Sequence, residues 1–599
     1  MRRTRLSFVA TLAVASSAAL VGVPAIADAA PKPKPDVAVQ LIAMNDFHGR
    51  ITNTVDADSQ QITEPGDDKV YGTPDDVVKT VGGAANVAAT VQRLQAEFAA
   101  ANGGSTASWF VGAGDLISAS PFESSVFKDE PTIEVLNAMG LDLSSVGNHE
   151  FDRGTQELRR ISAATDNTFS DNVTACQGVT VGVDGCFGTG EHAFHGADFP
   201  YLAANVLSKA TGAPMLPPYQ VYDLEGGRKV ALIGVVTETT PTIVTPTGVA
   251  DVTFIDEAEA VNRYVPELTR RGVEAIGVLI HEGGEQTGAS KANSNGCDTL
   301  TGSIQDINDR ISDEVDLIVS AHTHAAYNCL LDVPLGQDRL VTSAGFYGRL
   351  VSDIRLTLDA RTGEVNRAAT YAATNVPVLR TAADQRVQSI VDYWNGRSAD
   401  ARNRYVGYAD TTMLRGDRTT ETSLGNLVAE SYLTALQKPE LGSPVVGIVN
   451  PGALRADLAA GDVTYGEVYA IQPFGNTVEA ITLTGADLDL VLEQQYQPRG
   501  SRSALALGTS TSLTWSYDLT RTFGDRVSAV AINGTPIDPL ASYRVATNSF
   551  LTAGGDDFTA FRNGTAKQTG GLDVDALEAY IAGNSPVAAP PANHGTKIG

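Results

Sequence analysis

The chain has 599 residues, 43% of them hydrophobic and 19% charged, with Gly and Pro dispersed rather than repeated, which fits roughly two to four globular domains and excludes a fibrous class. Its formal net charge of −27 repels a nucleic-acid backbone and excludes duplex DNA or RNA as a partner. A small phosphorylated substrate is not excluded, because bound cations reverse the sign of the field inside one cleft.

At the N-terminus, Arg2, Arg3 and Arg5 precede an Ala-, Val- and Leu-rich run from Leu6 to Val23, followed by the A-x-A pattern at Ala27 and Ala29. These features predict a signal peptide over 1–29 and a Pro-rich tether over 30–36. An uncleaved anchor is the alternative, disfavoured by the many small and hydroxyl residues in the run. No later segment is long and apolar enough to span a bilayer. The mature protein is therefore expected to be secreted, periplasmic or cell-surface associated, with no stable membrane span; the oligomeric state stays open. Four cysteines suit an oxidising compartment. Three pairings exist, of which Cys176–Cys186 with Cys297–Cys329 closes the shortest loops.

Between Val37 and Val378, apolar runs at Val37–Met44, Trp109–Val111, Leu141–Val146, Val230–Val236, Ala275–Ile280 and Leu317–Ser320 alternate with helix-like stretches at Ala84–Ala100, Thr132–Met139 and Ala258–Arg271. Strands alternating with helices predict βαβ units in a largely buried α/β sheet. Asp166–Gly196 reads as a surface excursion, and His192 and His195 within it as surface residues. A polar, helix-compatible linker covers 379–404, with Thr381–Arg404 as the candidate hinge. A second, smaller α/β unit over 405–584 has a helix signal at Leu424–Leu436 and a strand at Val445–Val449. The stretch 585–599, with His594, reads as a frayed tail.

Polar residues collect just after the apolar runs: Asn45-Asp46-Phe47-His48-Gly49, Gly112-Ala113-Gly114-Asp115, Gly147-Asn148-His149-Glu150-Phe151-Asp152, His281-Glu282-Gly283-Gly284 and Ala321-His322-Thr323-His324. Groups beyond the carboxyl ends of neighbouring strands in an open α/β sheet converge on one crevice. Of the eight histidines, five sit in these positions. Imidazole, carboxylate and amide oxygen together suit Zn, Mn, Fe or Co better than Ca or Mg. One carboxylate can bridge two such ions roughly 3.5–4 Å apart, where they bind phosphate oxygens and lower the pKa of the attacking water.

In this order, D-x-H, GD, GNH-E, H and H-x-H resemble the pattern of the calcineurin-like metallophosphoesterases. The NHEFD form and the second unit are similar to the secreted 5′-nucleotidase, UDP-sugar hydrolase and 2′,3′-cyclic-nucleotide 2′-phosphodiesterase family. The resemblance implies an α/β fold: an N-terminal four-layer-type metallophosphoesterase β-sandwich flanked by helices over 37–378, a connecting helix, and a smaller substrate-binding C-terminal domain. It also implies two divalent metal ions. Asp46, His48 and His324 match ligands of the first, Asn148, His281 and His322 ligands of the second, and Asp115 the bridging carboxylate. His149 matches the residue that meets the phosphoryl group in the transition state, and Asp152 the carboxylate that orients it; a cation aimed at developing negative charge lowers the barrier. In the second unit, Asn450, Gly452 and Arg455 match the N-x-G-x-x-R substrate loop, Arg418 a further phosphate- or ribose-contacting arginine, Phe474 and Phe550 a base clamp, and Asp556 a ribose-binding carboxylate. Ala321, Pro451, Ala453 and Asp557 stand where the family carries glycines.

The activity so implied is metal-dependent release of phosphate from nucleoside 5′-monophosphates, with UDP-sugars, dinucleotides and 2′,3′-cyclic nucleotides as further substrates. A metallohydrolase for a non-nucleotide or sulfur-linked ester, and a non-catalytic nucleotide-binding surface protein, are the competing readings.

Overall fold

Strand Val37–Met44 sends its side chains alternately into two separate cores: Val39, Leu41 and Ala43 face one, Ile42 and Met44 the other. A strand with both faces buried has no solvent-facing side, so its period of two is hidden inside an apolar run broken only by Gln40, which is buried and donates to Asp353 at 2.7 Å. The computed structural model describes residues 36–55, 57–162, 180–183, 185–187, 190–334, 336–497 and 504–599. The expected signal peptide, the tether up to Pro35, Cys176 and much of the 166–196 excursion lie outside these residues.

In the first six-stranded sheet the strands run, edge to edge, Tyr371–Pro377, Leu350–Leu358, Val37–Met44, Ser108–Ala113, Leu143–Ser145 and Tyr201–Leu202. Val37–Met44 and the three strands after it in this order are mutually parallel. The second runs Ala326–Leu331, Arg339–Ala344, Leu317–Ser320, Ala275–His281, Lys229–Val236 and Tyr219–Asp223, with the four inner strands parallel. Leu41, Val111, Leu232 and Leu279 pack between the sheets. On the outside, Ile42, Phe110 and Val351 meet helices Ala84–Ala101 and Glu130–Met139, while Ile233, Val278 and Ile318 meet Glu257–Arg270 and Ser303–Arg310. The result is helix, sheet, sheet, helix: the expected four-layer sandwich, rather than the single sheet that the βαβ pattern alone suggests. Antiparallel strands such as Leu350–Leu358 and Tyr371–Pro377 complete it.

The linker forms helix Gln385–Arg402, capped by Asp384, whose carboxylate accepts the Val387 N–H at 2.9 Å. The helix buries Val387, Ile390, Val391 and Trp394 in the outer core of the first sheet, and the Trp394 indole donates to Glu134 at 2.8 Å. His192, expected at the surface, is half-buried beside this helix, its ring stacked on Tyr393 at 3.8 Å and its Nδ1 2.7 Å from Glu134. His195 is exposed.

Beyond the linker, a five-stranded sheet runs Gly508–Thr509, Val446–Val449, Ser542–Asn548, Thr477–Thr484 and Thr565–Leu572, with helix Ser423–Ala435 packed on it. The stretch 585–599 departs from the frayed tail expected of it. Gly595–Lys597 pairs in parallel with Trp515–Tyr517 in a four-stranded sheet, and His594 is buried with Nδ1 3.0 Å from Thr509 Oγ1. Main-chain pairing holds this segment, which its Pro- and Ala-rich composition does not announce. Cys297 and Cys329 form the expected disulfide; the proposed partner of Cys186 lies outside the described residues. Among those residues no helix is long and apolar enough to cross a membrane.

Candidate functional site

All five motif stretches lie at the carboxyl ends of parallel strands, on the rim that the two sheets share. Asp46 and His48 follow Val37–Met44, Asp115 follows Ser108–Ala113, Asn148 and His149 follow Leu143–Ser145, His281 ends its strand, and His322 and His324 follow Leu317–Ser320. Five of these residues, Asp46, His48, Asp115, His322 and His324, have φ of 49°, 48°, 50°, 72° and 58°. A non-glycine residue in this left-handed region costs of order 1–3 kcal/mol and persists where its surroundings over-determine it. Main-chain bonds do this here: Asp46 N–H to Gly114 O at 3.1 Å, His48 N–H to Asp115 O at 3.0 Å, and Tyr347 N–H to Asp46 O at 2.8 Å. Two glycines allow the loops to meet. A Cβ on Gly147 would lie 2.1 Å from Asp115 Oδ1, and one on Gly114, at φ 84°, 2.5 Å from Gly147 N. Ala321, where the resembled family carries glycine, has no positive φ and its methyl group is accommodated.

The side chains gather in two groups, each with its donor atoms within 4.8 Å of one another: Asp46, His48 and His324, and Asp115, His281 and His322. Asp115 joins them, its Oδ2 lying 3.0 Å from His281 Nε2 and 3.7 Å from His48 Nε2. His48 Nδ1 bonds the Ser118 carbonyl at 2.9 Å and His281 Nδ1 the Ala113 carbonyl at 2.9 Å. A carbonyl only accepts, so both protons sit on Nδ1 and each Nε2 is free to present a lone pair inward. Asp46 Oδ1, Asn148 Oδ1 and His281 Nε2 are buried without a well-aligned hydrogen bond. Burying such atoms with incomplete hydrogen bonding is costly, and their convergence fits divalent cations held by mixed nitrogen and oxygen donors. For the protein groups on their own, burial opposes charge on both Asp115 and His281, yet Asp115 is pulled down by His281 and His149 and the His281 imidazole is pushed up to about 10 by Asp115 and Asp46, so a cation bound here would displace the proton from His281 Nε2.

His149 stands beside His48 and Asp115, its ring centroid 5.0 Å from that of His48. Its N–H donates to Asp115 Oδ1 at 2.8 Å, and its Nδ1 lies 2.7 Å from Asp152 Oδ2. Burial disfavours the imidazolium, but Asp152 and Asp115 outweigh it and raise the pKa above the ordinary histidine value. Two residues without a role in the sequence reading complete this region. The buried Glu150 carboxylate accepts N–H bonds from Asp115 and Leu116 at 2.8 Å and from Gly147 at 2.5 Å, tying two ligand loops together. Asn45 donates to Asp46 Oδ2 at 2.7 Å and to Gly345 O at 2.6 Å. Asn45 is signalled in the sequence only by adjacency to a ligand, and Glu150 only as the last residue of GNH-E, neither of which reveals the bonds it makes.

A cleft of about 950 Å³ opens from this cluster to the C-terminal half, lined on one side by Asp115, Asn148, His149, His322 and His324 and on the other by Arg418, Asn450, Gly452, Arg455, Phe474, Phe550 and Asp556. Asp46, His48 and His281 lie buried behind the first wall. Asn450 donates to Asp556 at 2.8 Å and accepts from Asn548 at 3.1 Å. Pro451 opens a short 3₁₀ turn, where a missing N–H is harmless, and Asp556 and Asp557 take positive φ, which aspartate tolerates better than most residues. Enclosure and the nearby Arg455 depress the Arg418 guanidinium. Crowded cations facing a cleft favour an anionic occupant. Glu421, three residues past Arg418, accepts the N–H groups of His594 and Gly595 at 3.1 Å each, so the last strand braces this wall.

The family model of the 5′-nucleotidase C-terminal domain matches residues 397–563. Endonuclease YhcR of Bacillus subtilis is 30% identical over 561 residues, covering 93% of this chain but 40% of that protein, so the chain spans two fifths of this relative. A 5′-nucleotidase of Vibrio cholerae is 24% identical over 535 residues, covering 83% of this chain and 86% of its own. Among solved structures, the 5′-nucleotidase precursor of Thermus thermophilus has the same fold, with a TM-score of 0.70 at 22% identity over 94% of this chain and 99% of that one.

Proposed function

We propose that this chain, a member of the 5′-nucleotidase family, is an exported, metal-dependent phosphohydrolase that releases phosphate from nucleoside 5′-monophosphates. One observation carries this reading: a single cleft has a cluster of inward-facing metal donors on one wall and two arginines, two phenylalanines and a carboxylate on the other. That pairing suits a ligand with a phosphate at one end and a planar base at the other.

Asp46, His48 and His324 would hold one divalent ion, Asn148, His281 and His322 a second, and Asp115 would be shared between them. Bound there, the ions would supply Lewis-acid polarisation of the phosphoryl oxygens and a more acidic water. His149, kept protonated by Asp152, donates from Nε2 to the oxygen on which negative charge grows; Asp152 holds the ring in that orientation through Nδ1. Arg418 and Arg455 take up phosphate charge. Phe474 and Phe550 bind the base face, and Asp556, positioned by Asn450, accepts from ribose hydroxyls. The two walls belong to different halves of the chain, so closure sets the distance between base and phosphate. The packing of helix Gln385–Arg402 on the N-terminal half supports a pivot at its C-terminal end, Arg402–Tyr405, at the close of the candidate hinge Thr381–Arg404.

The same cleft suits UDP-sugars, dinucleotides and 2′,3′-cyclic nucleotides, which share the base and a phosphoryl group. A substrate panel with metal analysis of the same preparation tests the reading. AMP and UMP are expected to release phosphate only with Mn or Zn present. Absence of metal-dependent release from every nucleotide would end it.

A further inference from the structure

Asp129 lies outside the cleft, fully buried, and its carboxylate connects three parts of the site. Oδ2 accepts the Ser118 N–H at 3.3 Å and Arg153 Nη1 at 2.7 Å, while Oδ1 accepts the Ser124 hydroxyl at 3.0 Å. Ser118 is the residue whose carbonyl fixes the His48 ring through Nδ1. Arg153 directly follows Asp152, the partner of His149. The second Arg153 nitrogen reaches Ser125 O and Oγ at 3.3 Å each, and Ser125 Oγ lies 3.1 Å from the Tyr469 hydroxyl. Tyr469 belongs to helix Tyr465–Ile471 of the C-terminal half and packs edge-on against Phe122 at 5.2 Å. Ser118, Ala119, Lys128 and Asp129 itself have φ of 62°, 46°, 57° and 61°. Strain of this kind, at both ends of the Asp129–Ser118 bond, is sustained by surrounding bonds rather than by local preference.

We propose that Asp129 is a positioning residue that couples the seating of the C-terminal half, sensed at Tyr469, to the orientation of His48 and of the His149–Asp152 pair. The proposal rests on the metal-and-dyad reading above. An ion pair serving stability alone would hold the loop without distinguishing substrates. A coupling residue makes the C-terminal half matter only to substrates that engage it.

The test compares Asp129→Asn, Tyr469→Phe and the double variant on two substrates, AMP and bis(p-nitrophenyl) phosphate, which carries no base or ribose. The Mn²⁺ dissociation constant is measured in parallel by electron paramagnetic resonance. Loss of a partner that orients a metal ligand typically costs about 10–100-fold in affinity or activity. Asp129→Asn should therefore weaken Mn²⁺ by about tenfold and lower kcat on both substrates. Tyr469→Phe should lower kcat for AMP several-fold, leave the aryl diester unchanged, and add nothing in the Asp129→Asn background. Unchanged Mn²⁺ affinity in Asp129→Asn, or a Tyr469→Phe effect that is equal on both substrates or additive with the first, overturns the proposal. If Asp129→Asn does not fold, Tyr469→Phe alone decides through its substrate split. If the wild type releases no phosphate, the functional reading fails instead, and the Mn²⁺ comparison still tests the link from Asp129 to His48.

Discussion

The rings of His149 and Phe474 lie nearly parallel, 11° apart with centroids separated by 5.9 Å, although they come from opposite halves of the chain. The Arg455 guanidinium lies 5.7 Å from the same Phe474 ring. Phe474 thus stands where the imidazole of one wall and the arginine of the other meet, the position from which, on the proposed function, it would stack on a base while His149 and Arg455 face the phosphate.

Phe474→Ala is expected to raise KM for AMP by about tenfold, since stacking on a base is worth roughly 1–3 kcal/mol. Ribose 5-phosphate, which has no base, should keep its KM. Steady-state kinetics on both esters check this, and an equal change on the two would remove Phe474 from base binding.

Asp152→Asn keeps the shape of the partner that sits 2.7 Å from His149 Nδ1 but removes its charge. Without that charge the imidazole is less often a cation, and kcat for AMP should fall about 100-fold with KM little changed. Thermal melting near the wild-type midpoint shows that the loss is chemical. Wild-type kcat would exclude the dyad role.

Glu150→Gln replaces an acceptor of several N–H groups by a side chain with an NH₂ among them. The Asp115 and Gly147 loops should separate, lowering both bound metal and thermal midpoint. Elemental analysis after dialysis is the check. Full metal content would show that the loops hold without it.

Asp573, fully buried at the start of helix Asp573–Gly583, is pushed up to about 7 by burial, against opposing bonds from Asn476 and Val574. Below the ordinary aspartate pKa near 4, folded and unfolded states are both protonated. Between that value and about 7 only the unfolded state ionises, so this group lowers folding stability as pH rises, and its effect levels off above about 7. Asp573→Asn should therefore gain in melting temperature over wild type as pH rises through this window. A pH-independent difference would contradict it.

The apolar runs that became central strands were legible because both faces are buried: Val37–Met44 and Leu317–Ser320 have the boundaries read from the sequence. Edge strands were not, because Tyr371–Pro377 alternates exposed and covered residues and carries Asn375 and Pro377. Gly595–Lys597 is held by main-chain pairing, to which composition is blind. In the site, the five motif stretches were visible since strand ends concentrate polar residues after apolar ones, and the fold brings their side chains together. Asp129 was not, and Glu150 was visible only as the last letter of GNH-E without its role, because a carboxylate that accepts backbone N–H groups has the same one-letter code as one that faces solvent. Ala321 was read as a departure from the family pattern, and its ordinary φ explains why a methyl group does no harm there.

On the proposed function, Asp115 would be shared by two cations, one held by Asp46, His48 and His324 and the other by Asn148, His281 and His322. Anomalous difference maps from crystals of Mn²⁺-loaded protein, collected across the manganese edge, test it most directly. Two peaks flanking the Asp115 carboxylate, one beside Asp46, His48 and His324 and the other beside Asn148, His281 and His322, are the predicted result. A map without a peak at Asp115, or with one ion bound only elsewhere, would rule out a shared site at this carboxylate.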